Sequence, residues 1–195
     1  MANLSDVLQH DQYVARKRML HLIGGAVRVF DRQGRLLLYV DQRAFKLREE
    51  IRVFADEAKT TVLLLIKARQ ILDFSATYDV TDVASGQMIG SVQRLGMQSM
   101  VRDLWQLSGL DGAVIATLQE DHLVWALLRR LVLDLVPQRY DLHCHGRAVG
   151  TLRRNWNPFT SAMTVDVGMD AGRVVPRALV LAATILLLLI EGKQD

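Results

Sequence analysis

The sequence has few of the residues that cross-link or punctuate a chain. It contains one cysteine, Cys144, and three prolines. A single cysteine excludes an internal disulfide and is typical of a protein from a reducing compartment. Aromatic residues are also scarce at 6%, although half of the residues are hydrophobic and 23% are charged. This composition is globular rather than disordered, and a net charge of +3 is too small to indicate nucleic-acid binding.

The signature motifs of common catalytic sites are absent as well. The chain has no GxSxG, HExxH or GxxxxGK[ST] sequence. Gly24–Gly25 and Gly109–Gly112 lack the spacing and the strand-to-helix setting of a phosphate loop. Asp73 and Asp79 would share one strand face, but strand rise separates them by about 20 Å, too far to share a substrate. We therefore predict a protein that is not an enzyme and that needs no cofactor.

One apolar run stands out near the end of the chain. Ala178–Ile190 carries no charge, and Thr184 is its single polar residue. Pro176 before it and Gly192 after it are typical of the start and end of a helix. The apolar part is roughly 20 Å long, whereas a bilayer core is about 30 Å thick. A helix that is apolar on every face must be surrounded, so we predict that strands of the same chain enclose it. The alternative is a short tail anchor in lipid.

Most of the chain before this run has the pattern of strands. The clearest alternation is over residues 72–80, where apolar residues alternate with polar ones: Leu72, Phe74, Ala76, Tyr78 and Val80. This is the period of one strand with one face in the core. Turn signals recur about every ten residues, which is the rhythm of a sandwich or barrel.

Two other segments have helical signals. Leu4–Tyr13 follows a capping residue, either Asn3 or Ser5, and leads into a basic segment. The leucines of residues 121–137 recur at helical intervals until Pro137 ends the pattern. The sequence thus predicts a single α+β domain over residues 1–195, mainly β with helices.

The basic segment near the N-terminus resembles the start of a signal peptide. Arg16–Arg18 precede the apolar residues Met19–Ile23. This apolar part is shorter than the roughly 7 to 15 residues that a signal requires, and His21 interrupts it. We therefore expect a cytoplasmic protein.

The clearest candidates for metal ligands are two histidines. His143 and His145 would share one face of a strand, and such a pair can chelate zinc or copper if His122 or Asp141 joins it. The favoured alternative is a hairpin strand with two half-exposed imidazoles. Cys144 would point to the opposite face of the strand. A nucleophilic cysteine needs a base on its own side, and the neighbouring histidines would not provide one, so we predict a buried, inert thiol.

Asp79 and Asp82 are weaker candidates. Together with Thr81 and backbone carbonyls they would form a calcium site beside a turn. Aspartates in turns more often bond their own backbone. We predict no bound metal, with His143, His145, Asp79 and Asp82 as the candidates to check.

Basic residues are more suggestive of function. Six candidates lie near strand ends or on successive strands: Lys67, Arg69, Arg94, Arg102, Arg153 and Arg154. If neighbouring strands bring several within about 10 Å, they would hold a phosphorylated headgroup, because guanidinium groups match phosphate oxygens. The alternative is a solvated face whose charges pair with Asp and Glu. The tryptophans are not interleaved with basic residues, so a nucleic-acid stacking surface is not expected.

Several segments, in order, resemble those of LURP-one-related proteins, which are relatives of phospholipid scramblases within the tubby C-terminal-like superfamily. The likeness runs from about Tyr13 to Gly192, and it rests on FKLREEIRVF at Phe45–Phe54, KARQILDFSATYDV at Lys67–Val80, SMVRDLW at Ser99–Trp105, NPF at Asn157–Phe159 and the apolar last helix. The resemblance implies an antiparallel barrel of about twelve strands around a central C-terminal helix. This agrees with the patterns of strands and helices described above.

The resemblance also implies a function. Tubby domains bind phosphoinositides through basic residues on the barrel, and scramblases are linked to calcium and lipid movement. This chain lacks the cysteine-rich palmitoylation segment and the proline-rich arm of animal scramblases, which weighs against lipid scrambling.

We therefore predict a non-enzymatic binding module for anionic phospholipid headgroups or the membrane surface, in a cytoplasmic, peripheral membrane protein. Arg153, Arg154, Lys67 and Arg69 are its first candidate residues. One alternative is a protein interaction or scaffold domain without a small ligand, which a large exposed apolar patch would favour. Another is a scramblase-like protein that inserts its C-terminus into the membrane.

Overall fold

The computed structural model describes residues 3–18, 26–41, 50–72, 75–95, 104–120, 138–155 and 160–191. The helix predicted over residues 121–137 lies outside these ranges. The elements within them are α1 (Leu4–Leu8), β1 (Gln12–Arg18), β2 (Ala26–Phe30), β3 (Leu36–Asp41), β4 (Glu50–Phe54), β5 (Val62–Leu72), β6 (Ser75–Asp82), β7 (Met88–Leu95), β8 (Leu104–Ser108), β9 (Val114–Glu120), β10 (Arg139–Cys144), β11 (Arg147–Arg154), β12 (Thr160–Asp166) and α2 (Arg177–Glu191).

The twelve strands form one closed barrel. Each strand pairs antiparallel with the strands before and after it in the sequence, and β1 pairs with β12 to close the ring. This order lets every backbone edge find a partner, which an open sheet does not achieve. The predicted antiparallel barrel of about twelve strands is confirmed.

The terminal helix α2 fills the barrel. Residues 178–189 are each no more than 2% exposed. They belong to the same hydrophobic core as inward side chains of the wall that are themselves fully buried, among them Leu38, Leu64, Ile66, Leu118 and Leu142. Thr184, the one polar residue of the run, donates its hydroxyl to the Val180 carbonyl at 2.8 Å. The predicted enclosure of the helix by its own chain is confirmed.

Neither helix in the described part of the chain combines the length and the apolar character needed to span a bilayer.

A buried ion pair holds the end of the barrel at which α2 begins, here called the entry end. Arg177 donates from Nη1 to Asp170 at 2.6 Å and from Nη2 to Asp11 at 3.0 Å. Asp170 also accepts from the backbone N–H groups of Val174 and Val175, each at 3.0 Å. Burial by itself would raise the pKa of Asp170, but these hydrogen bonds and the charge of Arg177 lower it below the ordinary value. The carboxylate thus compensates a cation that would otherwise oppose the dipole at the helix start.

A lysine holds the other end of α2, here called the far end. Lys17 is 3% exposed, and its Nζ donates to the Leu188 carbonyl at 3.1 Å. A cation is favourable near the C-terminus of a helix, where carbonyl groups lack partners within the helix. Lys17 lies opposite Ser161 of β12, and Ser161 accepts from Arg154 Nε at 3.2 Å. Charged groups on the inner wall therefore stabilise both ends of the central helix.

The prediction for the N-terminal segment was partly wrong. The helix ends at Leu8 rather than Tyr13, although Asn3 is its cap and accepts from Asp6 N at 2.8 Å. The basic segment that follows is a strand, β1, with Tyr13 and Lys17 facing inward. Lys17 interrupts the alternation of apolar and polar residues by which a strand is recognised. Its burial depends on the helix carbonyl that it contacts, which the sequence does not reveal.

The single strand predicted over residues 72–80 was also wrong. Leu72 ends β5 and pairs with Ser75 at the start of β6. Tyr78 and Val80 are buried as predicted. The alternation of apolar and polar residues continues through the connection between the two strands, so the pattern did not mark the boundary.

Candidate functional site

The structure places the predicted basic residues on different parts of the barrel. Lys67 and Arg69 lie on β5, Arg94 on β7, and Arg153 and Arg154 on β11. Arg102 lies outside the described residues. The strands β5 and β11 are at opposite positions in the ring of twelve, about 29 Å apart around the wall at about 4.8 Å per strand. The β5 pair and the β11 pair therefore do not share one binding surface.

The β5 pair lies on an outer face with charges of both signs. Arg69 donates two hydrogen bonds of 2.5 and 3.0 Å to Asp79, and bonding to this carboxylate raises the pKa of Arg69. Lys67 is exposed and lies between Glu50 and Asp79 in the register. Glu50 in turn accepts from Arg52 at 2.8 Å. This wall has the character of a solvated face with paired charges, the alternative considered for the basic residues.

Arg94 and Arg154 are half-buried at inward positions. The Arg94 guanidinium carbon lies 5.9 Å from the ring centroid of Trp105, which is 1% exposed. Arg154 donates to Ser161 and, at 2.9 Å, to the Gln138 side chain. Both arginines contact residues of the inner wall, so they stabilise the far end of the barrel.

Four arginines form a different group on the outer wall, here called the outer arginine band. They are Arg139 on β10, Arg153 on β11, Arg16 on β1 and Arg28 on β2, with β12 in the middle. Arg28 binds Glu57 through bonds of 2.7 and 3.0 Å, and Arg139 binds Asp141 at 3.1 Å. Arg16 and Arg153 are exposed and form no salt bridge within the described residues.

The register brings Arg16 and Arg153 to the same part of β12. Arg153 lies directly opposite Thr164, and Arg16 lies two positions along β1 from Val14, the partner of Thr164 on the other side. Cβ atoms are about 5 Å apart in a direct pair and about 7 to 8 Å apart in a diagonal one. The outward residues of β12 between them are small, the exposed Thr164 and the buried Ala162. Arg16 and Arg153 therefore lie on either side of the same part of β12.

Arg16 was not among the predicted site residues. Its guanidinium carbon lies 5.3 Å from the ring centroid of Phe30 on β2, a cation–π contact. The basic triplet at residues 16–18 was a signal in the sequence, but only recognition of β1 as a strand separates the outward Arg16 from the inward Lys17.

The candidate metal ligands do not come together. His143 lies on β10, whereas His145 follows the end of that strand with a φ of +48°, so the two do not share a strand face. Asp82 accepts from Ala84 N at 3.0 Å and Ser85 Oγ at 2.7 Å, as turn aspartates commonly do. Asp79 is held by Arg69, and His122 lies outside the described residues. Across the described ranges, no group of three or more His, Cys, Asp and Glu side chains is arranged to hold a metal ion.

Cys144 is buried, as predicted, and points into the barrel near the entry end. It is 6% exposed. Burial raises the pKa of the thiol, and the negative charge of Asp170 raises it further. Both effects disfavour the thiolate that a nucleophile or a metal ligand requires.

Comparison with known proteins agrees with the architecture. A family model described as LURP-one-related matches residues 11–188, which is most of the chain. No curated protein and no solved structure matches it. The closed barrel around a C-terminal helix is consistent with the tubby-like superfamily to which the sequence was compared. The chain belongs to the LURP-one-related family.

Proposed function

We propose that this protein is a non-enzymatic binding module that recognises the phosphorylated headgroup of an anionic phospholipid at the membrane surface. The observation that carries the proposal is the pair of exposed arginines, Arg153 and Arg16, that flank Thr164 and form no salt bridge with any carboxylate of the described ranges. Membership of the family and the closed barrel support a tubby-like lipid-binding module. The single cysteine fits a cytoplasmic location, from which the module would reach the membrane periphery.

The state of pairing distinguishes these two arginines from the others. To bind a phosphate, Arg28 or Arg139 must give up a carboxylate that it already holds. Among the contacts of the described residues, Arg153 holds no carboxylate and would lose hydration, whereas Arg16 would lose hydration and its contact with Phe30. The guanidinium group is more weakly hydrated than an ammonium group. Charge-assisted bonds to phosphate are about twice as strong as neutral hydrogen bonds.

The barrel also presents this pair with little freedom in the backbone. Both arginines lie on strands that are paired on either side, β1 between β12 and β2, and β11 between β10 and β12. A site on paired strands is more precise than one on loops, so less order must be imposed when a ligand binds.

The first prediction concerns Arg153. We expect Arg153→Gln to weaken binding to vesicles that contain a phosphorylated anionic lipid about tenfold to 100-fold, because a hydrogen bond to a charged group contributes about 1.5–3 kcal/mol. Arg16→Gln should have a similar effect. Sedimentation with vesicles of neutral lipid, with and without the anionic lipid, measures both variants.

Arg69→Gln provides the matched control. Arg69 is also an exposed arginine on the outer wall, but it lies opposite β11 in the ring and is paired with Asp79. Its replacement should change the affinity for anionic vesicles less than about twofold, because it removes only an exposed ion pair far from the proposed site. Equal binding of the unmodified protein to neutral and anionic vesicles, or equal losses for Arg69→Gln and Arg153→Gln, would exclude the proposed site.

A further inference from the structure

The connection between β12 and α2 has an exposed surface that is mainly apolar. This segment, Gly168–Val174, is here called the apolar loop. Met169 is 59% exposed and Val174 is 53% exposed, and Ala171 and Gly172 are exposed between them. Transfer of such apolar side chains from water into an apolar phase is favourable in free energy.

Both charged side chains of the loop have partners within the protein. Asp170 is 3% exposed and is held by Arg177 and by the backbone N–H groups that follow it. Arg173 folds back along the wall, where its guanidinium donates to the carbonyls of Leu8 and Gln9 and to Asp11. Asp170 is thus compensated inside the protein, whereas Arg173, with a side chain that is 46% exposed, is paired at the surface.

Much of the loop backbone is bonded internally as well. Gly168 N–H donates to the Asp166 carboxylate at 3.0 Å, and Asp170 N–H donates to the Val167 carbonyl at 3.1 Å. Arg173 N–H donates to the Asp170 carbonyl at 2.9 Å. Such satisfaction of N–H groups matters little in water, but an unsatisfied group in hydrocarbon costs several kcal/mol. These bonds reduce the number of loop N–H groups that would have to give up water on leaving it.

The loop begins close to Arg153 and Arg16, beyond the end of β12 that is nearer to Thr164. It follows directly from β12, the strand between Arg153 and Arg16. From Thr164 to Met169 the chain spans at most about 17 Å. The carboxylate of Asp166, which lies between them, accepts from the Gln12 side chain at 2.8 Å as well as from the loop. A surface that meets the arginines along β12 can therefore also meet the apolar loop.

We propose that the apolar loop inserts Met169 and Val174 into the interface of the bilayer whose phosphorylated lipid is held by Arg153 and Arg16. This inference rests on the proposed function, and it identifies the source of the phosphate as a lipid in a membrane rather than a soluble phosphorylated molecule. Amphipathic elements that bind membranes commonly bury apolar side chains about 5–10 Å into the boundary between headgroups and acyl chains. The phosphate would then lie at the level of the arginines, farther from the hydrocarbon.

Two binding measurements test the inference. In the full chain, Met169→Gln combined with Val174→Gln should weaken binding to anionic vesicles about tenfold or more. The reason is that the variant no longer gains the free energy of moving two apolar side chains from water into the membrane. Binding of inositol trisphosphate, a soluble phosphorylated headgroup, should be unchanged in the same variant. Arg153→Gln should instead weaken both.

Val83→Gln is the matched control. Val83 is also an exposed apolar residue in a turn, at 42% exposure, but it follows β6, which lies opposite β12 in the ring. Its replacement should leave vesicle binding unchanged. The unfolding midpoint of each variant, followed by circular dichroism, verifies that the barrel is intact.

These measurements distinguish a failure of loop insertion from a failure of headgroup recognition. If the loop variant binds vesicles as the unmodified protein does while Arg153→Gln does not, insertion is overturned and headgroup recognition stands. Equal weakening toward vesicles and inositol trisphosphate in the loop variant would also overturn insertion, because it would mean that the loop acts through the phosphate site. If Arg153→Gln changes neither measurement, the proposed function fails and the insertion that rests on it fails too.

Discussion

Deletion of Ala178–Asp195 is expected to leave an aggregated or unfolded chain rather than a soluble barrel. The helix supplies the centre of the core, since residues 178–189 are almost fully buried against the inner wall. Without it, buried wall residues such as Leu64, Leu118 and Leu152 would face a large empty or water-filled space. The loss of apolar burial would exceed the net stability of an ordinary domain, which is about 5–15 kcal/mol. Soluble yield and the circular dichroism spectrum after expression measure the result.

A milder variant makes the same point in a chain that still folds. Leu186→Ala should lower the free energy of unfolding by about 2–5 kcal/mol, because Leu186 is fully buried and its truncation leaves a cavity. Leu110→Ala is the control, since Leu110 is 70% exposed and its truncation should change stability by less than about 0.5 kcal/mol. Denaturant unfolding compares the two. A soluble, folded product of the deletion, together with equal effects of the two leucine variants, would show that the helix is not the core.

The second large effect is expected for Asp170→Asn. Asn keeps the size of the side chain and can still accept from a backbone N–H, but it leaves the buried Arg177 guanidinium with only the half-exposed carboxylate of Asp11. Arg177 and Asp170 have side chains that are 3% and 2% exposed. Removing one partner of a buried pair costs about 3–5 kcal/mol. Denaturant unfolding at neutral pH should show this loss in the free energy of unfolding.

Asp31→Asn is the control, because it removes a buried carboxylate whose arginine partner is exposed rather than buried. Asp31 is likewise buried and is held by bonds from Arg35 and Gln33. Arg35, however, has a side chain that is 70% exposed, so water can solvate its guanidinium when the carboxylate is lost. We expect a smaller loss for Asp31→Asn than for Asp170→Asn. Equal losses would mean that the entry-end pair contributes no more than a surface contact.

The pH dependence of stability follows from the same pair. The pKa of Asp170 is lower in the folded protein than its ordinary value, so its contribution is fully present above the ordinary carboxyl range. It is lost as the pH falls below about 4, the ordinary value for Asp, toward the folded pKa. The free energy of unfolding should therefore decline in this acidic window. The decline should be shallower in Asp170→Asn, and thermal unfolding at a series of pH values measures both slopes.

Much of the fold was predictable because its strongest signals are local. An apolar run such as Ala178–Ile190 has no polar face to expose, and regular turns mark the rhythm of the strands. The strand β1 was missed because its inward Lys17 breaks the alternation, and only the carbonyl of Leu188 accounts for a lysine at that position. The boundary between β5 and β6 was missed because the alternation continues across it.

The candidate site was predictable only in part. Arg153 was identified from its position near the end of a strand, but Arg16 was not, because β12 brings together two strands from opposite ends of the chain. Lys67 and Arg69 were grouped with Arg153 on residue type. The ring of strands instead puts them on the opposite wall, where Asp79 neutralises Arg69.

The sequence by itself determined that this protein has a wholly apolar terminal helix and many short strands to surround it, because hydrophobicity and period are properties of neighbouring residues. Only the tertiary structure decided which arginines share a surface and which already hold a carboxylate. Those relations depend on the pairing of strands far apart in the chain, and the closure of β1 on β12 sets that pairing.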